Sequence, residues 1–314
     1  MFLYNFKINK EICFIYWVQS SIEWNWYFCQ KEYDKWVQIT GNFNDEEKNV
    51  LESFKKILQK ENNGYTWLWN RYVGNKIYDK DENKKWQYLR KILENKFEIL
   101  WKSEHPKLIV WKEKLEEYCF DDLKDDFEKI YDFFDTEYVN EIVVNLCFGW
   151  GKLPGGNVKK EFSNNILLTI SNSDITNINR VLKTLFHEHI HLIEYFSNKD
   201  KFFRESYKKI LAPLNIPKQK QSWRHLVVES IIFSIVGKDV GYLDRKIGIK
   251  DTPKNTKLIL EKNKIKNYSE EIKNISEKIS KLTEKYIREG KTVDKDYSDF
   301  VLNTLKKVYG RPSN

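Results

Sequence analysis

His187 and His191 lie four positions apart in the run VLKTLFHEHIHLIEYF, and Glu188 directly follows the first of them. Helical side chains four positions apart project from the same side, so the two imidazoles can bind one metal ion. The neighbouring carboxylate can then act as a general base toward a water molecule on that metal. The chain has only 5 histidines, so this spacing is a poor candidate for coincidence. The pattern predicts a hydrolytic zinc site.

A helix over residues 181–196 would divide its side chains between two faces, because each residue turns the helix by about 100°. One broad arc is apolar and should pack into the core. The other arc carries Thr184, His187, Glu188, His191, Glu194 and Tyr195. His189 falls within the apolar arc. We therefore interpret it as a hydrogen-bonded histidine of the core, or as a support for a ligand, rather than as a ligand itself.

A third zinc ligand must come from another segment, since catalytic zinc normally takes three protein ligands. Glu194 would lie about 10 Å along the helix axis from His187, which is too far for one ion. Glu229 lies in RHLVVESIIFSIVG, a helix that is apolar almost all round. A buried carboxylate there is costly unless it is paired or bound to a metal. His225, one turn earlier, could replace Glu229 as ligand or could support the site.

The His-Glu-x-x-His helix, followed about forty residues later by a Glu on a second helix, resembles the gluzincin group of zinc peptidases, the thermolysin-like clan. The resemblance covers roughly residues 140–242. It implies His187, His191 and Glu229 as zinc ligands and Glu188 as the general base.

The resemblance also implies an edge strand before the active-site helix, and residues 165–171 (NILLTIS) suit that strand. An extended peptide or protein substrate would pair along it. Thermolysin-like enzymes carry an Asp four positions after the ligand Glu, where this chain has Phe233. This departure argues for a distant family of the clan.

The expected fold is α+β, with a zincin-like core and largely helical N-terminal and C-terminal additions. The core comprises a small twisted sheet, the His-Glu-x-x-His helix and the helix of the third ligand. The expected activity is zinc-dependent peptide hydrolysis, in which the zinc activates a water molecule and Glu188 passes its proton to the leaving amine. His225 or Tyr242 would stabilise the oxyanion.

Two other functions are consistent with the sequence. A zincin-shaped interaction protein without turnover could use its aromatic N-terminal region, but a scaffold has no need of the intact Glu188. A nucleic-acid-associated protein could use the net charge of +8. Acidic residues are interspersed with the lysines, so a solvated surface is the better interpretation and a nucleic-acid partner is not favoured.

We divide the chain into an aromatic-rich region at 1–135, a catalytic core at 136–250 and a helical region at 251–314. Alternation over residues 22–28 favours a strand, within a short meander in the first 40 residues. Helices should follow, one capped by Asn44 with Glu47 and another starting at Pro106. A strand at 141–148 should lead through the turn GWGKLPGGN to residues 165–171.

An apolar seam with spacings of three and four runs through residues 265–286, and Gly290 should end this helix. We expect the helix to pack on the catalytic core, although such a seam could also mediate oligomerisation. Most of the many tryptophans in the first third of the chain are expected in a core rather than on a binding surface.

Cys13, Cys29, Cys119 and Cys147 show no paired spacing and are expected to be buried free thiols in a reducing compartment. The first 19 residues lack the pattern of a signal peptide, and the sequence contains no apolar run long enough to span a bilayer. We therefore expect a cytoplasmic protein that does not act at a membrane.

Overall fold

The computed structural model describes residues 3–22, 30–60, 80–149, 155–158, 164–170, 177–197, 223–237, 241–246 and 266–309. The strands are β1 (Leu3–Ile8), β2 (Glu141–Phe148), β3 (Gly155–Asn157) and β4 (Asn165–Ile170). The helices before β2 are α1 (Lys10–Ser21), α2 (Gln30–Thr40), α3 (Asp45–Lys60), α4 (Lys80–Glu116) and α5 (Lys124–Phe134). Those after β4 are α6 (Ile178–Phe196), α7 (Trp223–Ile235), α8 (Tyr242–Lys246), α9 (Lys266–Arg288) and α10 (Lys295–Tyr309). The fold is α+β, as expected.

The sheet has the strand order β1-β2-β4-β3. β1, β2 and β4 run parallel, and the short β3 pairs antiparallel with β4 from Gly155 opposite Thr169 to Asn157 opposite Leu167. The prediction that residues 165–171 form the edge strand is therefore wrong, because β4 is flanked by β2 and β3. Among the described strands, β3 lies at this edge of the sheet, within the segment GWGKLPGGN that the sequence predicts as a turn.

Helices cover both faces of this sheet. Alternate side chains of β2 and β4 project to opposite faces, as the period of a strand requires. On one face, Val144 and Leu168 join the core formed with α5, α6, α7, α9 and α10. On the other face, Cys147 and Leu167 join the core formed with α1, α3 and α4. Helix α6, which carries His187 and His191, therefore packs against one face of a sheet that is buried on both sides.

The N-terminal region differs from the predicted meander. Of the first 40 residues, β1 is the only described strand, and α1 and α2 are helical. Ile22 caps the end of α1, and residues 23–29, which carry most of the alternating pattern, lie outside the described residues. The pairing of β1 with β2 joins our first and second regions in one sheet. Within β1, the buried Tyr4 and Phe6 alternate with Asn5 and Lys7, but alternation alone does not identify the partner strand β2, which lies far along the chain.

A single helix, α4, extends through the position where two were predicted. Pro106 lies inside it rather than at its start. A proline removes one backbone donor from a helix, but the many apolar contacts of this long helix outweigh that loss. Trp86 and Trp111 of α4, like Trp17 and Trp36, are buried, which confirms the core interpretation for these four tryptophans.

Two other local predictions are confirmed. The backbone amide of Asn44 donates to the Glu47 carboxylate at 2.7 Å, and the amide of Glu47 donates to the Asn44 side chain at 2.9 Å, which makes a reciprocal capping box. The strand predicted at 141–148 is β2, with the same bounds.

The C-terminal seam packs within the same chain. Ile272, Ile275 and Ile279 of α9 are buried in the core that contains α7, as expected for a helix that packs on residues 136–250. A hydrogen-bond chain links Ser234 to Thr283 at 2.9 Å and Thr283 to Tyr297 at 2.8 Å, so α7, α9 and α10 share a polar contact. α9 ends at Arg288, and Gly290 follows with a φ of 63°.

Cys13 and Cys147 are buried free thiols, as predicted, whereas Cys119 is free but exposed. Cys119 follows the end of α4 in a surface connection, which explains its exposure, and Cys29 lies outside the described residues. Among the helices of the described ranges, we find none with the length and apolarity needed to cross a membrane.

Candidate metal centre

Helix α6 begins with a side-chain cap. The side chain of Asn177 accepts a hydrogen bond from the backbone amide of Arg180 at 3.3 Å, which satisfies one of the unpaired donors of the first turn. The apolar arc is buried as the periodicity predicts, including Val181, Leu185 and Phe186. At the other end, the Ser197 hydroxyl donates to the backbone carbonyl of Phe134, and this bond ties the helix to α5. These contacts fix the direction in which the polar arc faces.

Helix α7 brings Glu229 to that polar arc. Most of its described apolar side chains are buried, among them Leu226, Ile231 and Ile235, and Glu229 is 8% exposed. The carboxylate oxygens of Glu229 lie 3.0 Å from Nε2 of His191 and 3.5 Å from Nε2 of His187. The two Nε2 atoms lie 3.1 Å apart. The structure thus brings together the three residues that the sequence singled out as ligands.

These distances fit one metal ion. Two nitrogens and one oxygen at about 2.0 to 2.1 Å from a tetrahedral centre would be separated by about 3.3 Å. The three measured separations, 3.0, 3.1 and 3.5 Å, bracket that value. Among the described residues, His187, His191 and Glu229 form a group whose ligand atoms could hold a metal ion. Two imidazoles and one carboxylate are a donor set suited to zinc.

Opposing effects act on the pKa of His191. Burial lowers the pKa, but the charge and hydrogen bond of Glu229 outweigh burial and raise it to about 9. The carboxylate of Glu229 is therefore paired with an imidazolium when the metal is absent. This pairing offsets the free-energy cost of burying a carboxylate in an apolar helix. The charge of Glu229 would have a partner both without a metal ion and with one bound.

Glu188 lies beside the metal group and against strand β3. A β-carbon built on Gly156 would lie 2.1 Å from Cγ of Glu188 and 2.6 Å from its Cδ, so the Glu188 side chain occupies the space above this glycine. Burial is the largest influence on its pKa and raises it to about 7. The charge of His191 lowers this pKa, and that of Glu229 raises it. The carboxyl group is thus placed between the helix and the edge strand, with a pKa near neutrality.

Two aromatic rings flank the histidines. The ring of Phe233 lies 5.0 Å from that of His187 between centroids, and the ring of Tyr195 lies 6.3 Å from that of His191. Phe233 therefore stands where the thermolysin-like pattern has an Asp, beside a histidine of the site, but it supplies an apolar contact rather than a hydrogen-bond acceptor.

The turn after α7 fixes Phe233. A β-carbon on Gly237 would lie 2.2 Å from Cδ1 of Phe233, so the ring packs directly on the glycine backbone. Asp244 accepts hydrogen bonds from the backbone amides of Gly237 at 2.8 Å and Gly241 at 3.2 Å. The ammonium group of Lys183, on α6, lies 3.6 Å from the other oxygen of Asp244. These contacts join the turn to the helix that carries both histidines.

His189 is a core histidine, as predicted. It is fully buried, its Nδ1 lies 2.8 Å from the hydroxyl of Tyr4, and its Nε2 lies 3.0 Å from the hydroxyl of Tyr131. A neutral imidazole has one donor and one acceptor nitrogen, so one tyrosine donates and the other accepts. Burial lowers the pKa of His189 to about 3, and its ring stacks on Phe127 at 4.5 Å. It therefore stays neutral.

Tyr242 and His225 are the two oxyanion donors that the sequence predicts. Tyr242 is buried, and its hydroxyl donates to the carboxylate of Asp126 on α5. Its proton is thus committed to Asp126. His225 lies on α7, one turn before Glu229, but its side chain is outside the described residues. Glu194 is buried on α6 and does not belong to the group of three ligands.

Sequence reasoning missed two residues that shape the site. Gly156 was interpreted as part of a turn, and Thr169 was taken only as a strand residue. The Thr169 hydroxyl accepts from the Gly155 amide at 3.1 Å and donates to the Gly155 carbonyl at 3.0 Å, which holds β3 in place. A Gly-Gly pair shortly before a predicted strand was the available signal.

Comparisons with protein-family models, curated proteins and solved structures give no match for this chain.

Proposed function

We propose that this chain is a zinc-dependent peptidase. The observation that carries the proposal is the convergence of His187, His191 and Glu229 within metal-binding distance of one another, with Glu188 beside them. The two histidines and Glu229 would hold the ion. When bound, zinc polarises a carbonyl group and lowers the pKa of a coordinated water molecule.

Glu188 is the general base of the proposed reaction. Its carboxylate accepts a proton from the attacking water and then, as the carboxylic acid, donates that proton to the leaving amine. A group that performs both transfers works best with a pKa near the working pH, and burial raises that of Glu188 to about 7. Because its side chain lies against β3, these transfers would take place beside that strand.

The substrate lies extended along β3 in this proposal. In the described part of the chain, β3 pairs with β4 alone, so its outer edge offers backbone donors and acceptors to a peptide. This replaces β4, along which the sequence had suggested that the peptide would pair. A peptide on the outer edge of β3 would lie next to Gly156 and therefore near the Glu188 carboxylate.

The test combines metal analysis with cleavage of a diverse peptide library. The purified protein should contain about one zinc per chain and should cleave peptides. Glu188→Gln keeps the shape of the side chain and all three ligands, so zinc should remain while hydrolysis falls about a hundredfold or more. Glu289→Gln is the matched control. It removes an exposed carboxylate directly after the end of α9 and should leave cleavage unchanged. Undiminished cleavage by Glu188→Gln would reject the proposed mechanism.

A further inference from the structure

Strand β3 approaches helix α6 closely at Gly156, a position without a side chain. A β-carbon on Gly156 would lie 2.1 Å from Cγ, 2.6 Å from Cδ and 2.8 Å from Oε1 of Glu188. Non-bonded carbon atoms normally approach to about 3.5 to 4.0 Å. Any residue other than glycine at position 156 would therefore displace Glu188, β3 or both.

The strand has little freedom to move away. Gly155, next to Gly156, has both backbone polar groups bound to the hydroxyl of Thr169, at 3.1 and 3.0 Å. The backbone of β3 also pairs with β4 through residue 157. The helix is equally fixed, because its apolar arc is buried in the main core. A clash at position 156 would therefore act on the Glu188 side chain.

From this geometry we infer that Gly156 is a positioning residue for Glu188: the missing side chain leaves the space that holds the general base between α6 and β3. This inference deepens the proposed function and rests on it for its catalytic meaning. Cγ of Glu188 is close to the helix backbone, so rotation of the far end of the side chain cannot relieve the contact. The carboxylate would have to leave its position beside the metal ligands.

The test is a double-mutant cycle on the zinc-loaded protein. Gly156→Ala should lower Tm by about 2–6 °C, the range expected when one extra methyl group is forced into a packed site. It should retain zinc and lower kcat about a hundredfold with a small change in KM, because the base is displaced while the ligands remain.

Two backgrounds then separate the causes. Glu188→Ala removes Cγ and the carboxylate, so adding Gly156→Ala to it should produce no further fall in Tm. Glu188→Gln keeps the shape, so Gly156→Ala should lower Tm there as much as in the wild type. A Gly156→Ala variant with unchanged Tm would overturn the inference. An equal fall in the Glu188→Ala background would also overturn it, because the effect would then belong to the backbone of β3. If the wild type cleaves no peptide, the proposed function fails. The Tm values of the cycle still decide whether a side chain at position 156 collides with Glu188.

Discussion

The ring of Phe233 lies 5.0 Å from the imidazole of His187, on the side of the histidine that faces helix α7. Phe233 is four positions after Glu229 on α7. The same helix therefore supplies one candidate ligand, Glu229, and the ring that packs on another, His187. The contact is apolar and restricts the ring by packing alone. The ring of Phe233 also packs on Gly237, and this second contact restricts its movement.

Phe233→Ala should therefore weaken zinc binding about tenfold, because His187 gains rotational freedom that binding must then remove. The affinity can be measured by competition with a chromophoric chelator. Phe196→Ala, at the exposed end of the same active-site helix, removes an equal volume and should leave the affinity unchanged. Equal losses in both variants would mean that packing beside His187 has no special role.

Loss of either histidine should remove most of the bound metal. His187→Ala or His191→Ala leaves two of the three ligands, and the protein should also lose the stability that a metal gains by binding only the native state. Metal content by mass spectrometry and Tm with and without chelator give the two measurements. Near-stoichiometric zinc in both variants would show that the metal is bound elsewhere.

Glu229→Gln tests the third ligand. A neutral amide is a much poorer zinc ligand than a carboxylate, so the affinity should fall by more than about a hundredfold. His225→Ala, one turn earlier on α7, is the comparison and should keep the metal. The opposite pattern, with metal kept in the Glu229 variant and lost in the His225 variant, would make the site one of three histidines.

The two tyrosines around His189 provide a test of stability. Tyr4→Phe or Tyr131→Phe leaves one ring nitrogen of a fully buried imidazole without its partner, which should cost about 1–3 kcal/mol in the free energy of unfolding. Tyr88→Phe removes an exposed hydroxyl bonded to Glu46 and should change that free energy by less than about 0.5 kcal/mol. Urea denaturation at neutral pH measures all three. A loss no larger than the control's would mean that the imidazole finds another partner.

More of the candidate site than of the surrounding fold could be predicted from the sequence. The spacing of His187, Glu188 and His191 requires only a helix, and the apolar arc of α6 indicates both that helix and the buried place of His189. Glu229 was conspicuous because a carboxylate stands out in an apolar run. In each case the physical signal is local, within two or three helical turns.

What the sequence did not reveal depends on contacts between distant segments. β3 has three residues and two of them are glycines, so no apolar alternation marks it. Its place as the edge strand follows from pairing with β4 and from the close approach of Glu188. The tyrosine partners of His189 could not be predicted from the local sequence either. Tyr4 lies 185 positions away along the chain, and Tyr131 lies 58 positions away.

That separation has a consequence for the order in which the molecule assembles. Strand β1 pairs with β2 across the whole of α1 to α5, so this pairing must close a very long loop before it contributes any energy. The hydrogen bond between Tyr4 and His189 likewise joins distant segments, because the two residues lie 185 positions apart. The packing around His189 inside α6 is thus completed by a residue of β1. The docking of β1 on the sheet and the packing of the helix that carries His187 and His191 are therefore energetically coupled.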